Sequence, residues 1–249
     1  MTQPTPPNIP ELTVVPDADS LSRAAIAEFC RAADAAIAAR GRFTVALSGG
    51  STPRAAYALL ADEHKDSLPW EKIFIFFGDE RHVPPDHPDS NYRMANESLL
   101  SRVPLPPPNV FRVQTELSAD IAARKYEDSL REFFQLPPGS WPRFDLIFLG
   151  LGDDGHTASL FPGSAALKEN TRLVVANWVE KFKTFRITFS FPVLNHAAEV
   201  LFLVSGAGKA PVIREIFSRS EKKIFPAQMV HPEQGRLLWL ADRQAASLL

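Results

Sequence analysis

The feature that most constrains this fold is a repeated alternation of short apolar runs with helical segments. The runs are rich in β-branched and aromatic residues and lie at 43–47, 73–77, 144–149, 173–176 and 200–204. Runs without a polar face are typical of parallel strands that are buried on both sides. Helical patterns long enough for crossover connections lie between them at 53–61, 91–102, 119–134 and 209–217. The sequence therefore predicts a Rossmann-like α/β fold with a mostly parallel sheet flanked by helices.

A helix is predicted over 21–40, with Asp19 or Ser20 as its N-cap and Gly41 just beyond its end. The first 12 residues hold four of the 22 prolines and predict a flexible N-terminal tail. Proline clusters farther along lie between predicted elements and mark no domain boundary. We therefore expect residues 13–249 to form a single domain with smaller excursions.

The balance of charge argues against polyanionic partners. The 249 residues include 27 basic and 29 acidic side chains, for a net charge of −2, so neither nucleic acid nor a membrane surface is an expected partner. The single Cys30 has no partner for an internal disulfide, which favours a reducing compartment. No leader-like segment and no apolar stretch of about 18 residues is present, so we expect a cytoplasmic protein.

Polar segments follow several of these strands directly, which places them at the carboxyl edge of the sheet, where ligands bind in open α/β folds. The first is the turn formed by Ser48, Gly49, Gly50, Ser51 and Thr52. Its small residues allow backbone N–H groups to approach a phosphate or a sugar hydroxyl at a helix N-terminus. The alternative is a tight strand-to-helix turn with no ligand.

The second segment places Asp79, Glu80 and Arg81 immediately after the apolar run 73–77. Burying charged side chains at a strand end costs free energy. Their presence there therefore favours a binding or catalytic role. A structural ion cluster is the alternative. The nearby His82 and His87 lack the spacing of a dedicated metal site.

The third segment carries Asp153, Asp154 and His156 in a glycine-rich turn after the run 144–149. An imidazole there is suited to general-base catalysis near neutral pH, and a neighbouring carboxylate can fix its tautomer. The sequence alone does not distinguish the two aspartates, and the alternative is that both only cap the turn. They also oppose a dinucleotide-binding interpretation, because they would repel a pyrophosphate.

The fourth segment supplies cations, with Lys183 and Arg186 ahead of a strand-like run and Lys209 in a glycine turn. This turn is not a nucleotide-binding P-loop, since Leu203 replaces its first glycine and Ala210 its hydroxyl residue. Lys209 as a solvated helix residue is the alternative.

Taken together, the segments resemble the 6-phosphogluconolactonase family over nearly the whole chain. The matching segments are LSGGSTP (47–53), FFGDERHVP (76–84), DSNYRMANESLL (89–100), FDLIFLGLGDDGHTASLFPG (144–163), RITFSFPVLNHA (186–197) and LVSGAGKA (203–210). The resemblance implies hydrolysis of 6-phospho-D-glucono-1,5-lactone to 6-phospho-D-gluconate, the second step of the oxidative pentose phosphate pathway. It implies no cofactor and no metal, a sugar phosphate as the small-molecule partner, and a monomer or homodimer.

The same resemblance implies roles for the polar residues. His156 would activate water as a general base, Asp154 would orient it, and Arg81 would stabilise the oxyanion or hold the sugar. Asp79 would bind sugar hydroxyls or position Arg81. The phosphate would be held by Arg186, Lys209 and the turn 48–52.

Two other functions are compatible with parts of the pattern. The wider superfamily includes glucosamine-6-phosphate deaminases, which are expected to carry DEY at 79–81 and an acidic residue near position 161. This chain has Arg81 and Phe161 there, which favours the lactonase. A non-catalytic sugar-phosphate sensor would be expected to lack the catalytic histidine, and His156 is present.

Overall fold

The computed structural model describes residues 11–218 and 225–249. The strands are β1 (Glu11–Val15), β2 (Phe43–Leu47), β3 (Ile73–Phe77), β4 (Asp79–Arg81), β5 (Leu146–Leu149), β6 (Val174–Val179), β7 (Thr184–Phe189), β8 (Glu199–Val204) and β9 (Arg236–Asp242). The helices are α1 (Ala18–Arg40), α2 (Ser51–His64), α3 (Asn91–Ser98), α4 (Ala119–Phe133), α5 (Phe191–Asn195) and α6 (Ala210–Phe217). None of these helices is long and apolar enough to cross a membrane.

Six strands form one sheet in the order β1-β9-β8-β5-β2-β3, and every neighbouring pair is parallel. After β2 the chain adds β3 on one side, whereas β5, β8 and β9 are added on the other. The direction of strand addition therefore reverses between β2 and β5, which makes this point the topological switch of the sheet. The predicted Rossmann-like α/β fold is confirmed.

A second, smaller sheet has the order β4-β7-β6 and is antiparallel. The run 173–176 was predicted to be a buried parallel strand, and this prediction is wrong because the run opens β6. The backbone N–H groups of Leu173 and Val174 donate to the buried carboxylate of Glu127 on α4. The strand packs against α4, and this packing explains the apolar sequence pattern that suggested a buried parallel strand.

Two boundaries near the N-terminus differ from those predicted. Glu11 and Leu12 pair with β9, so the last two residues of the predicted tail belong to the sheet, while residues 1–10 lie outside the described residues. Asp17 caps α1 in place of Asp19 or Ser20, because its Oδ1 accepts the Ser20 N–H at 2.8 Å. Gly41 ends the helix with a φ of 74°, as predicted.

The six-stranded sheet has a hydrophobic layer on each face. One layer includes Phe76, Phe144 and Phe202, and the other includes Phe29 and Phe148. Every residue of β2, β5 and β8 is buried. Close packing on both sides fixes the positions of the strand ends, where the polar segments lie.

Candidate functional site

A cavity of about 220 Å³ opens at the carboxyl ends of the parallel strands, beside the switch between β2 and β5. Each of the four polar segments contributes at least one residue to its lining. Of the predicted site residues, Asp154, Arg186 and part of the turn 48–52 do not line it. Its lining consists of Ser48, Gly49, Asp79, Arg81, Gly150, Leu151, Gly152, His156, Thr157, Ala158 and Lys209. We call it the strand-end cavity.

Two buried tyrosines hold the strand ends in place. The Tyr57 hydroxyl accepts the Ser48 N–H at 3.0 Å and donates to the Ser48 carbonyl at 3.1 Å. Tyr126 makes the same pair of bonds with Phe77, at 2.8 and 3.0 Å. Burial raises the pKa of both phenols, so each stays protonated and both donates and accepts.

The turn after β2 approaches the start of α3 very closely. A Cβ added to Gly49 would lie 1.8 Å from Oδ1 of Asn91, so only glycine fits this position. Gly50 has a φ of 110° and caps α2, while Ser51 and Thr52 form the first turn of that helix. Of the five predicted residues, Ser48 and Gly49 therefore line the cavity, and the other three lie just outside its wall.

Asp79 is buried and fixed by side chains from two other segments. Its Oδ2 accepts the Ser159 hydroxyl at 2.6 Å, and its Oδ1 and carbonyl oxygen accept from Asn91 Nδ2 at 3.3 and 2.9 Å. Asn177 in turn donates to the Ser159 carbonyl at 2.8 Å. The carboxylate is thus preorganised at the cavity wall.

Glu80 has a structural environment, in contrast to its neighbours. Its carboxylate accepts the backbone N–H groups of Arg81, Asn91 and Tyr92 at 2.7–2.8 Å, together with the Ser90 hydroxyl. It therefore binds the N-terminus of α3, where a negative charge is favourable. Burial raises the pKa of Glu80 in spite of these hydrogen bonds.

His156 is held by a tight turn after β5. Its Nδ1 lies 2.5 Å from Oδ1 of Asp154, and its backbone N–H donates to the same oxygen at 3.2 Å. A Cβ added to Gly152 would lie 1.9 Å from Nδ1, and Gly155 has a φ of 76°. These two glycines allow the turn to fold back beneath the imidazole.

The surroundings of His156 favour its neutral form. Burial lowers the pKa of His156, and the hydrogen bond that its Nδ1 donates to Asp154 opposes this effect without cancelling it. The hydrogen bond to His156 lowers the pKa of Asp154, although burial acts to raise it. The histidine is thus neutral, and its partner is ionised, near neutral pH.

The other aspartate of the turn, Asp153, has a different partner. It is exposed and forms an ion pair with the Nζ of Lys209, which stands in the short 3₁₀ helix Ala207–Lys209 after β8. Asp154 is therefore the aspartate that contacts the imidazole, whereas Asp153 is paired with Lys209.

Phe161 forms a wall of the histidine environment. Its ring stacks on the His156 ring with a centroid distance of 4.0 Å and an interplanar angle of 21°. Ala158, between them in sequence, has a φ of 47°, an uncommon conformation for a residue with a Cβ. Such conformations are concentrated at ligand sites, and Ala158 lines the cavity.

Arg81 and Arg186 face each other in the register of β4 and β7. Two guanidinium groups on adjacent strands repel, and burial followed by the charge of Arg81 lowers the pKa of Arg186. The buried Nε of each arginine has no hydrogen-bond partner among the described residues. Buried donors of like charge form an incomplete site that an anion would complete.

Several residues of this site were not predicted from the sequence. Tyr57 contacts Ser48 from the helix that follows the same turn, whereas Ser159 and Asn177 act through contacts between separate segments. Lys181 reaches Asp154 from the turn between β6 and β7. Ser159 stands in the same segment as His156, which was the one available signal. Among residues 11–218 and 225–249, no group of three or more His, Cys, Asp or Glu side chains is arranged to hold a metal ion.

Comparison with known proteins agrees with this architecture. Residues 16–239 match the family of glucosamine-6-phosphate isomerases/6-phosphogluconolactonase. The 6-phosphogluconolactonase of Nostoc sp. is 43% identical over 95% of this chain and 97% of its own, and that of Synechocystis sp. is 47% identical over 86% and 88%. The 6-phosphogluconolactonase from Trypanosoma cruzi superposes with a TM-score of 0.87 at 31% identity, covering 96% of this chain and 97% of its own. The chain therefore belongs to the glucosamine-6-phosphate isomerase/6-phosphogluconolactonase family, as its sequence motifs indicated.

Proposed function

We propose that this protein hydrolyses 6-phospho-D-glucono-1,5-lactone to 6-phospho-D-gluconate with water as the nucleophile. The observation that carries the proposal is the neutral His156, paired with Asp154, in a cavity that also presents Arg81 and Lys209. The names of the relatives support the lactone as substrate. The residue roles below are part of the proposal.

His156 is the general base. Because the Nδ1–H group donates a hydrogen bond to the Asp154 carboxylate, Nε2 is the unprotonated nitrogen, and it accepts a proton from water. The water oxygen bonds to the lactone C1, and the carbonyl oxygen takes up the negative charge. Collapse of this intermediate breaks the bond between C1 and the ring oxygen, which receives the proton from His156.

The cationic side chains interact with the two negative charges of the reaction, which are the oxyanion and the phosphate. Arg81 lines the cavity and stabilises the oxyanion or holds the sugar, and buried Asp79 accepts hydrogen bonds from sugar hydroxyls. Arg186 and Lys209 bind the phosphate together with the turn 48–52. The unpartnered guanidinium Nε groups of Arg81 and Arg186 supply the donors that an anionic group requires.

We propose a cytoplasmic setting and an enzyme that needs no cofactor, acting as a monomer or homodimer. Cys30 is the single cysteine, and burial raises its pKa to about 11, which keeps the thiol uncharged and unreactive. Such a thiol suits a reducing compartment.

The direct test is a coupled lactonase assay on the phosphorylated lactone and on its unphosphorylated analogue, each corrected for spontaneous hydrolysis. We expect a strong preference for the phosphorylated lactone. Equal rates on the two would contradict the phosphate site. Ammonia release from glucosamine 6-phosphate, measured in parallel, would instead identify a deaminase, and no turnover of either sugar phosphate would favour the sensor.

The role of the base is tested by His156→Gln. We expect kcat to fall by about 10²–10⁴-fold, the usual contribution of a general base, while substrate binding persists. The matched control is His231→Gln, at an exposed histidine that contacts Asn195 and Met229 and lies before β9, away from the carboxyl ends of the strands; it should leave kcat unchanged. Turnover by His156→Gln near the wild-type rate would eliminate the assigned role.

A further inference from the structure

The turn between β6 and β7 places a cation against the aspartate that holds His156. Lys181 Nζ lies 3.4 Å from Oδ2 of Asp154, the oxygen opposite the one bonded to the imidazole. The turn folds back because Lys183 adopts a φ of 48° and the Phe182 N–H donates to the Val179 carbonyl at 3.0 Å. Three side chains from two segments thus form a continuous chain of contacts.

Phe182 packs this turn against the site. Its ring meets Phe161 at a centroid distance of 5.9 Å, and Phe161 stacks on His156. The Lys181 ammonium lies 5.4 Å from the Phe182 ring centroid, and the Arg186 guanidinium lies 5.2 Å from it. The turn that carries Lys181 is therefore linked to the His156 ring through Phe182 and Phe161.

The charges around His156 explain what a cation at this place does. The imidazole is influenced by the carboxylates of Asp154 and Asp79 and by the ammonium of Lys181, and it shares its cavity with Arg81 and Lys209. The carboxylates of Asp154 and Asp79 favour the imidazolium, which has no lone pair to accept a proton from water. A cation beside Asp154 opposes that effect.

We propose that Lys181 is a positioning residue that completes a Lys181–Asp154–His156 chain, in which its ammonium balances the Asp154 carboxylate and keeps His156 available as a base. The proposal rests on the lactonase function for its kinetic consequence, but its electrostatic part is measurable in the free protein. Burial and Lys181 both lower the pKa of His156, whereas Asp154 and Asp79 raise it.

The first measurement is an NMR titration of the His156 imidazole in the substrate-free protein, with the signal assigned by its loss in His156→Gln. In Lys181→Met we expect the pKa of His156 to rise by roughly half a pH unit, the size suited to one partly exposed neighbouring charge. Lys181→Arg should restore the wild-type value. The shift between wild type and Lys181→Met should shrink at 1 M salt, where the Debye length is about 3 Å.

The matched control is Lys183→Met, which removes the same charge two residues away. Lys183 is exposed and has no ion-pair partner in the described part of the chain, so its replacement should leave the His156 titration unchanged. An equal shift in both variants, or no shift in Lys181→Met, would overturn the proposal.

The second measurement is the pH dependence of kcat/KM. Since a higher pKa leaves less neutral imidazole in acid, the acid limb of Lys181→Met should move to higher pH, with about threefold less activity well below the pKa for a half-unit shift. The plateau at higher pH and KM should stay near wild type. A raised KM with an unshifted titration would instead make Lys181 a substrate ligand and refute the proposal. An inactive wild-type protein would contradict the lactonase function, while the titration would still test the chain.

Discussion

The two sheets of this protein differ in the charged pairs that they place on neighbouring strands. In the six-stranded sheet Glu199 on β8 is paired in register with Arg236 on β9, and the two side chains form an ion pair at 3.2 Å. In the three-stranded sheet Arg81 on β4 is paired with Arg186 on β7, and both charges are positive. Opposite charges stabilise neighbouring strands, whereas like charges destabilise them. The repulsive pair stands beside the strand-end cavity, and the proposed function assigns both arginines to the substrate.

The two sheets also differ in burial. All residues of β2, β5 and β8 are buried, whereas the antiparallel sheet exposes Trp178 by 45% and Phe185 by 37%. We therefore expect the parallel sheet to contribute more to stability than the smaller sheet, which carries Arg81 and Arg186 beside the site. This division makes the effects of matched substitutions in the two sheets predictable.

The largest effect on stability is expected for Phe202→Ala in β8. Phe202 is fully buried and stacks on Trp239 with a centroid distance of 3.8 Å, so its loss leaves a cavity in the core. We expect the free energy of unfolding to fall by about 3–5 kcal/mol in urea denaturation. A loss below about 1 kcal/mol would contradict the assignment of the parallel sheet as the stable region.

The next effect is expected for Arg186→Met, which removes one member of the repulsive pair. Because each charged hydrogen bond to a phosphate contributes about 1.5–3 kcal/mol, kcat/KM should fall by about 10–100-fold, chiefly through KM. The free energy of unfolding should stay constant or rise, since the repulsion from Arg81 is removed.

Arg236→Met is the mirror control for this prediction. It removes one of the two arginines that contact the buried Glu199 carboxylate, the other being Arg31, together with ion pairs to Glu11 and Glu28. Stability should therefore fall by about 1–3 kcal/mol while kcat/KM is retained. Equal losses of stability in the two arginine variants would break the distinction between the sheets.

The smallest effect is expected for Phe185→Ala, the counterpart of Phe202→Ala in the exposed sheet. Phe185 packs edge-on against Trp178 across β6 and β7 with a centroid distance of 5.1 Å. An aromatic pair of this kind contributes about 0.5–1.5 kcal/mol, which is the loss expected in urea denaturation. A loss as large as that of Phe202→Ala would show that both sheets stabilise the fold equally.

Much of the parallel sheet could be predicted because its strands are local apolar runs. The runs at 43–47 and 73–77 match β2 and β3 in full. β9 was not predicted, although its apolar residues 237–241 carried the same signal. β4 consists of Asp79, Glu80 and Arg81 and has no strand signal, because its extended conformation depends on pairing with β7.

The site was predictable in its parts and not in its pairings. Strand-end placement indicated that Ser48, Asp79, His156 and Lys209 would converge, and all four line one cavity. The choice of Asp154 over Asp153 depends on a turn geometry that composition does not encode. The contacts of Arg81 with the strand of Arg186 join positions more than 100 residues apart, and no local pattern specifies such a register.

The carboxylate of Glu80 has a consequence for how this protein changes over evolutionary time. By holding Ser90, Asn91 and Tyr92, it fixes the far end of the loop 82–90 to the strand from which the loop departs. The loop is thereby anchored at both ends, and its closure costs little more when residues are added. We therefore expect insertions in 82–90 to leave Asp79 and Asn91 in place, because Glu80 rather than the loop holds the start of α3.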